Sequence, residues 1–136
     1  MTERHDIANC RKCFYLRIIA ILFWSAALAV LSLQPGGHAL YLFNGQDKIL
    51  HFIAYLLTAW LACRSLQLFS VSMFKIVCIS AIYCIVVGGL LEVLQATFSV
   101  NRQAEWLDWF ANTVGAICGC AIFCLQQRLS SGHEKS

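Results

Sequence analysis

The sequence predicts an all-α protein, a bundle of four transmembrane helices that run up and down with both termini in the cytoplasm. Three observations predict this fold. The 136-residue chain is 60% hydrophobic and 12% charged, which is too apolar for a soluble domain. Its apolar residues gather into four long stretches of the kind that cross a bilayer. Its basic residues concentrate on alternate connecting segments, which indicates the orientation of the helices.

The first predicted span covers about residues 16–33 and reads LRIIAILFWSAALAVLSL. Pro35 and the two glycines after it end the helix. The basic residues before the span, with Ala27 and Ala29 inside it, are also typical of a cleaved signal peptide. The apolar run nevertheless continues through residues 30–33 without a polar break, which favours a retained helix.

The second and third predicted spans cover about residues 48–66 and 74–94. Their uncharged cores, residues 49–63 and 76–91, are shorter than the ~20 residues that a helix needs to cross a bilayer. Both spans must therefore include charged residues at their ends. Lys48, Arg64 and Lys75 have long side chains that reach the headgroups. Glu92 has a short acidic side chain and lies about one turn inside its segment.

The fourth predicted span, about residues 106–125, carries a second short acidic side chain, Asp108, about one turn inside its start. Its aromatic residues, Trp106, Trp109 and Phe110, favour a belt at the membrane interface over a ligand cage. Small residues at every fourth position favour close packing between helices. They are Ala111, Gly115 and Gly119 on this span and Ser80, Cys84 and Gly88 on the third.

The basic residues predict the orientation of the spans. If the spans alternate in direction, most basic residues fall on the side of the termini, namely Arg4, Arg11, Lys12, Arg17, Arg64, Lys75, Arg128 and Lys135. Only Lys48 and Arg102 fall on the opposite side, so both termini are expected in the cytoplasm. Residues 1–15 are then a cytoplasmic N-terminal segment, residues 16–125 the transmembrane domain and residues 126–136 a cytoplasmic tail.

The eight cysteines lie in the N-terminal segment or within the spans, and neither outer loop contains one. This distribution favours reduced thiols and argues against a disulfide framework. Cys10 and Cys13, with His5 nearby, are a weak zinc signal because no second cysteine pair accompanies them. The formal charge of +3 is explained by flanks that meet anionic headgroups, and nucleic-acid binding is disfavoured.

Polar residues form a stripe on each of the last three spans, toward the end of the bundle that faces outward. The stripes repeat at about one helical turn and consist of Asp47, His51 and Tyr55, of Gly88, Glu92 and Gln95, and of Asp108, Asn112 and Gly115. Carboxylates and amides that faced lipid would lack hydrogen-bond partners, so we expect the stripes to face one another. With Lys48 and Arg102 they predict a polar pocket that opens to the outside.

The order and spacing of these polar residues resemble the VanZ-like family of small bacterial membrane proteins. The residues that carry the resemblance are Asp47-Lys48, His51-Phe52, Tyr55, Gly88, Glu92, Gln95, Arg102, Asp108, Asn112 and Gly115, within about residues 16–125. The resemblance implies a multi-pass protein of the bacterial cytoplasmic (inner) membrane with a link to the cell envelope. VanZ itself is associated with low-level resistance to the glycopeptide teicoplanin. The resemblance implies no mechanism and does not carry that antibiotic tolerance over to this chain.

One function that these residues support is an enzyme acting on an envelope or lipid-linked substrate at the outer leaflet. The catalytic candidates are His51, which exchanges a proton near neutral pH, and Glu92 and Asp108 as acid or base. Lys48 and Arg102 would hold an anionic group such as phosphate. The other residues of the predicted pocket are Asp47, Tyr55, Gln95 and Asn112. A divalent ion bridging Glu92, Asp108 and His51 is conceivable, but no recognised metal-binding spacing is present and no metal site is assigned.

The alternative is a non-catalytic membrane module or partner-binding subunit whose polar cluster is a structural lock. Taken singly, His51 and Asn112 fit that alternative, because interhelical hydrogen bonds contribute ~0.6 kcal/mol. Glu92 and Asp108 favour a functional site, because buried acids are costly. Transport finds less support, since four short spans are few for a carrier. The expected partners are membrane lipids and an envelope or lipid-linked anionic substrate, while the cofactor and the oligomeric state stay open.

Overall fold

Four long α-helices form the part of the chain that the computed structural model describes, residues 2–33, 45–98 and 106–133. They are α1 (Thr2–Leu33), α2 (Gln46–Leu66), α3 (Met73–Phe98) and α4 (Trp106–His133). No strand occurs within these described ranges. The prediction of an all-α fold with four helices is confirmed.

Each helix contains a segment that is long and apolar enough to cross a bilayer. These segments are Lys12–Ser32, Gln46–Leu66, Met73–Thr97 and Trp106–Gly132. Large apolar side chains point outward from the bundle, with Phe23 73% and Phe74 78% exposed. Such a surface is suited to contact with lipid, because apolar side chains that are exposed to hydrocarbon do not carry the free-energy cost of exposure to water.

The helices extend beyond several of the predicted spans. Helix α1 begins at Thr2, inside the predicted N-terminal segment, and α4 continues to His133, inside the predicted tail. Helix α3 continues to Phe98, past the predicted end near residue 94. The domain boundaries at residues 15/16 and 125/126 therefore stay a prediction. The turn at Gln34 and Pro35 lies outside the described residues.

Helices α2 and α4 form the most extensive helix pair of the bundle. Two glycines of α4 allow this close approach. A Cβ atom at Gly115 would collide with the carbonyl oxygen of Phe52, and one at Gly119 would collide with the carbonyl oxygen of Leu56. The small residues that predicted close packing on α4 thus lie against the backbone of α2.

A core of buried side chains connects α2, α3 and α4. Its members are Tyr55, Ala59, Cys63, Ile76, Cys84, Ala116, Cys120 and Phe123. The Cys63 thiol donates to the Cys120 sulfur at 3.8 Å, and the described cysteines are free thiols. Buried cysteine thus serves as a small apolar residue in this core, in line with the expectation of reduced thiols.

Helix α1 packs at the periphery. Only 6% of its most apolar stretch is buried inside the bundle, against 33–39% for the other helices. A few specific hydrogen bonds hold it in place. The Trp24 indole donates to the Thr58 hydroxyl at 2.8 Å, and the Tyr83 hydroxyl lies 2.7 Å from that of Ser25. Specific polar contacts therefore help to attach helix α1 to α2 and α3.

Contacts between helices show which ends of the apolar segments lie together. Arg17, in the middle of α1 but near the start of its apolar segment Lys12–Ser32, donates to the carbonyl oxygen of Arg64 at the end of α2, at 2.9 Å. The ends of α2 and α4 also meet, where Gln67 donates to Gln127 at 2.8 Å. At the opposite end of the bundle, the first turns of α2 and α4 meet the last turns of α3, which brings the three polar stripes to one level.

Candidate functional site

His51 lies at the centre of a polar cluster built from α2, α3 and α4. Its Nδ1 atom is 3.0 Å from the amide oxygen of Asn112 and 3.9 Å from Glu92 Oε1. Its Nε2 atom is 3.9 Å from Asp108 Oδ2. We call His51, Glu92, Asp108 and Asn112 the acid–histidine cluster.

The amide of Asn112 fixes the tautomer of the neutral His51 ring. An amide oxygen can only accept a hydrogen bond, so Nδ1 must be the atom that donates. The other ring nitrogen, Nε2, then keeps its lone pair and faces Asp108. Asn112 is almost completely buried, which holds this arrangement in a fixed geometry.

Both acids of the cluster are buried within the bundle. Glu92 is 6% exposed and Asp108 is 8% exposed. Glu92 comes from the last turns of α3, and Asp108 from the first turn of α4, so His51 reaches them from α2. The three titratable side chains can each offer one ligand atom, and those atoms lie within 4.8 Å of one another.

Lys48 links the cluster to the start of α2. Its ammonium nitrogen lies 3.0 Å from Asp47 Oδ2 and 3.4 Å from Asp108 Oδ1. With its side chain 32% exposed, Lys48 spans the boundary between the buried cluster and the outside of the bundle. The arrangement places a mobile positive charge at the rim of the acid–histidine cluster.

Two of the predicted pocket residues lie beside the cluster without a hydrogen bond to it. The side-chain amide of Gln95 donates to the carbonyl oxygen of Ser32 at 2.7 Å and so joins α3 to α1. The buried hydroxyl of Tyr55 has no hydrogen-bond partner in the described part of the chain. The ring of Tyr55 lies against Gly88, where a Cβ atom would come within 3.2 Å of it.

These side chains instead line a cavity of about 450 Å³ between α1, α2 and α3. Its polar lining residues are Ser32, Gln46, Asp47, His51, Tyr55 and Gln95, and its apolar ones are Trp24, Leu28, Leu31, Leu50, Ile53 and Ala54. Most of the polar residues lie nearest the helix ends, whereas Trp24, Leu28 and Ala54 lie deeper in the bundle. His51 belongs to both the cavity wall and the acid–histidine cluster.

The structure thus brings His51, Glu92, Asp108, Asn112 and Lys48 together, and it places Asp47, Tyr55 and Gln95 in the adjoining cavity. Arg102 lies outside the described residues. The sequence reasoning missed the contribution of α1, because Trp24 and Leu28 look the same as lipid-facing residues in an apolar span. Gln46 and Ser32 were missed as well. A polar residue directly before Asp47 was the available signal for Gln46.

Comparison with known proteins places the chain in a family. A family model described as VanZ/LLP1 matches residues 11–127, which includes every residue of the cluster and of the cavity. No curated protein and no solved structure matches the chain. The match covers most of the sequence and agrees with the resemblance in the polar stripes. This membrane protein belongs to the VanZ/LLP1 family.

Proposed function

We propose that the protein binds an anionic, lipid-linked molecule of the bacterial cell envelope in the cavity between α1, α2 and α3. The observation that carries this proposal is the lining of the cavity, which is mostly apolar and carries the polar side chains of Ser32, Gln46 and Asp47 at the helix ends. Such a lining suits an amphiphile whose tail lies among Trp24, Leu28 and Ala54. Its polar end would then rest against His51.

The side chains around the polar end support recognition of an anion. Lys48 can turn from Asp47 and Asp108 toward a phosphate, because its long side chain is partly exposed. We assign the same role to Arg102. Glu92, Asp108 and His51 are the groups that we propose to act on the polar end, and Asn112 orients His51 for that task.

We further propose that the four helices cross the cytoplasmic membrane up and down, with both termini in the cytoplasm and the cavity toward the outer face. The contacts between helices support the alternation, because the start of the apolar segment of α1 lies beside the end of α2, and the end of α2 lies beside the last turns of α4. The excess of Lys and Arg on the side of the termini supports the orientation.

A matched pair of bulky substitutions tests the cavity. Ala54→Phe would fill the space beside Trp24, whereas Ala121→Phe adds the same side chain to an exposed position of α4. Native mass spectrometry of the delipidated protein would compare the binding of a prenyl phosphate with the binding of the corresponding prenyl alcohol. We expect the wild type and Ala121→Phe to retain the phosphate in preference to the alcohol, and Ala54→Phe to lose at least about tenfold in affinity.

Equal binding of the phosphate to the two variants would refute the cavity as the binding site. Equal binding of phosphate and alcohol to the wild type would refute anion recognition while leaving a site for lipid tails. Only variants that elute from size exclusion as the wild type does would be compared, since a bulky side chain can also disturb packing.

One specific observation favours a second function. The polar side chains of the acid–histidine cluster and of Lys48 pair with one another. Lys48 pairs with Asp47 and Asp108, and His51 pairs with Asn112. In this alternative the cluster is a structural lock that holds α2, α3 and α4 in register, and the protein is a non-catalytic module or a partner-binding subunit. The membrane abundance of charge-neutral variants separates the two functions.

A further inference from the structure

Three donor atoms from three different helices converge beside the cavity, and we infer that they form a binding site for a divalent cation. The ligands would be His51, Glu92 and Asp108, whose nearest donor atoms lie within 4.8 Å of one another. Atoms that share a cation at ~2.1 Å lie roughly 3–4 Å apart, so the most distant pair must approach by about 1–2 Å. Rotation of the two carboxylate side chains supplies a movement of that size.

Asn112 prepares the imidazole for this role. By accepting a hydrogen bond from Nδ1–H, it leaves the Nε2 lone pair directed toward Asp108 Oδ2, which is 3.9 Å away. Glu92 Oε1 lies 3.9 Å from Nδ1, so its side chain must turn toward the Nε2 edge of the ring to share the ion. Metal-binding histidines are commonly oriented in this way by an oxygen acceptor on the other ring nitrogen. Asn112 is therefore a positioning residue for the proposed cation.

The environment of Asp108 is a second observation. Its Oδ1 atom is buried and accepts no hydrogen bond from the described residues, and the Lys48 ammonium lies 3.4 Å away. A buried carboxylate requires a cation nearby, and Lys48, whose side chain is 32% exposed, can turn away when a metal ion takes its place.

The cation also resolves an electrostatic conflict in the proposed function. A phosphate that approached His51 would face the carboxylates of Glu92 and Asp108, which repel it. A divalent cation would offset the local negative charge and leave coordination positions open, because the described residues supply three protein ligands. Those positions point to a site where water or a phosphate oxygen completes the coordination. The inference rests on the proposed function for this last step only.

The ligand set indicates the class of metal. One imidazole nitrogen with two carboxylate oxygens suits Mn²⁺ or Zn²⁺ better than the all-oxygen sites that Mg²⁺ and Ca²⁺ prefer. The chain also contains eight cysteines, which bind Zn²⁺ readily as thiolates. Mn²⁺ is therefore the better probe, since thiols compete for it poorly.

The test is the binding of Mn²⁺ to the full-length protein in detergent after treatment with a chelator. Electron paramagnetic resonance measures free Mn²⁺ directly, and we expect one bound ion per chain with a dissociation constant below about 100 µM. Pulsed measurements on the wild type should detect a coordinated imidazole nitrogen, and Zn²⁺ should displace the bound Mn²⁺. Wild-type protein that binds no stoichiometric Mn²⁺, or binds it without a nitrogen ligand, would overturn the inference.

Substitutions assign the ligands. Glu92→Gln and Asp108→Asn should each weaken Mn²⁺ binding at least about tenfold, because each removes a charged ligand of similar shape. Glu134→Gln is the matched control, since it removes one acid from the predicted C-terminal tail, outside the ligand set and outside the cavity. We expect it to change the affinity by less than about threefold. An equal loss in Glu134→Gln would mean that non-specific negative charge, rather than a built site, attracts the ion.

The positioning role of Asn112 has its own pair of variants. Asn112→Asp keeps an oxygen acceptor for Nδ1–H and should retain Mn²⁺ binding, whereas Asn112→Leu should weaken it by about 10- to 100-fold. The wild-type measurements decide the inference even if a variant does not fold. Because no amphiphile is present, Mn²⁺ binding can succeed where prenyl phosphate binding fails, and the reverse outcome is equally visible.

Discussion

At the scale of single residues, the acid–histidine cluster depends on two buried carboxylates that no hydrocarbon environment would tolerate alone. Glu92 and Asp108 are held at similar distances from opposite nitrogens of one imidazole ring. The amide of Asn112 decides which of those nitrogens carries the proton in the neutral ring. The chemistry of the pocket is therefore set by four side chains from three helices.

Charge-neutral substitutions separate a functional cluster from a structural lock. Glu92→Gln and Asp108→Asn keep the shape of each side chain, so we expect both variants to accumulate in the membrane like the wild type. We expect neither to restore the envelope-stress and antibiotic-sensitivity profile, glycopeptides included, of a deletion strain. The measurement is membrane abundance alongside that profile.

The opposite outcome is informative as well. If the cluster were a lock, removing one partner of a buried ion pair would cost about 3–5 kcal/mol, and both variants would disappear from the membrane. Normal abundance with a fully restored profile would remove both acids from any functional role.

The residues of the cluster could be predicted from the sequence because short polar side chains at one-turn spacing stand out against apolar helices. The atoms that pair could not be predicted. Nothing in the spacing indicates that Asn112 contacts Nδ1 of His51, or that Lys48 lies closer to Asp108 than either carboxylate lies to the imidazole. Those details follow from the rotation of each helix about its own axis, which depends on packing.

At the scale of helices, α2 and α4 form a tightly packed pair around which α3 and α1 are arranged. The pair is close because glycine, rather than a larger residue, faces the backbone of Phe52 and Leu56. The small residues at these positions predicted close packing between helices, and the structure identifies the backbone carbonyl groups that they contact. The helix ends were harder to predict, because α1 and α4 continue as helices after their apolar residues stop.

Alanine substitutions test this packing. Gly115→Ala and Gly119→Ala should each destabilise the protein by about 1–3 kcal/mol, because the new Cβ atom would overlap a backbone carbonyl that cannot move away freely. Gly132 is the matched control, since a Cβ atom there meets no atom within 4 Å. Gly132→Ala should be neutral or slightly stabilising. Thermal loss of the monodisperse peak in size exclusion would measure the differences.

Destabilisation of Gly132→Ala to the same extent would show that helix α4 resists alanine for a reason other than contact with α2. Unchanged stability of Gly115→Ala and Gly119→Ala would instead show that α2 and α4 can separate at little cost.

At the scale of the whole molecule, the least buried helix encloses the cavity. Helix α1 contributes Trp24, Leu28 and Leu31 to the lining and is joined to α2 and α3 by hydrogen bonds. The cavity could not be predicted from the sequence, because an apolar residue that lines a cavity looks the same as one that faces lipid. Only the position of α1 against α2 and α3 distinguishes the two.

Reporter fusions test the proposed orientation of the bundle. Green fluorescent protein fused to the C-terminus should fluoresce, because that terminus is expected in the cytoplasm, and alkaline phosphatase fused there should be inactive. Alkaline phosphatase fused after residue 104, between α3 and α4 in the sequence, should be active. The reverse pattern would place the acid–histidine cluster near the cytoplasm, and an outer-leaflet substrate would then be ruled out.

The glycines of α4 have a consequence for the pocket itself. Gly115 lies against the carbonyl group of Phe52, the residue next to His51. The distance between the His51 imidazole and α4 is therefore set by the absence of a side chain at residue 115. This position lies about one helical turn from the polar side chains of the cluster. Gly115→Ala would push α2 and α4 apart and widen the pocket without altering any ligand, so it is expected to shift the preference of the proposed cation site toward larger ions.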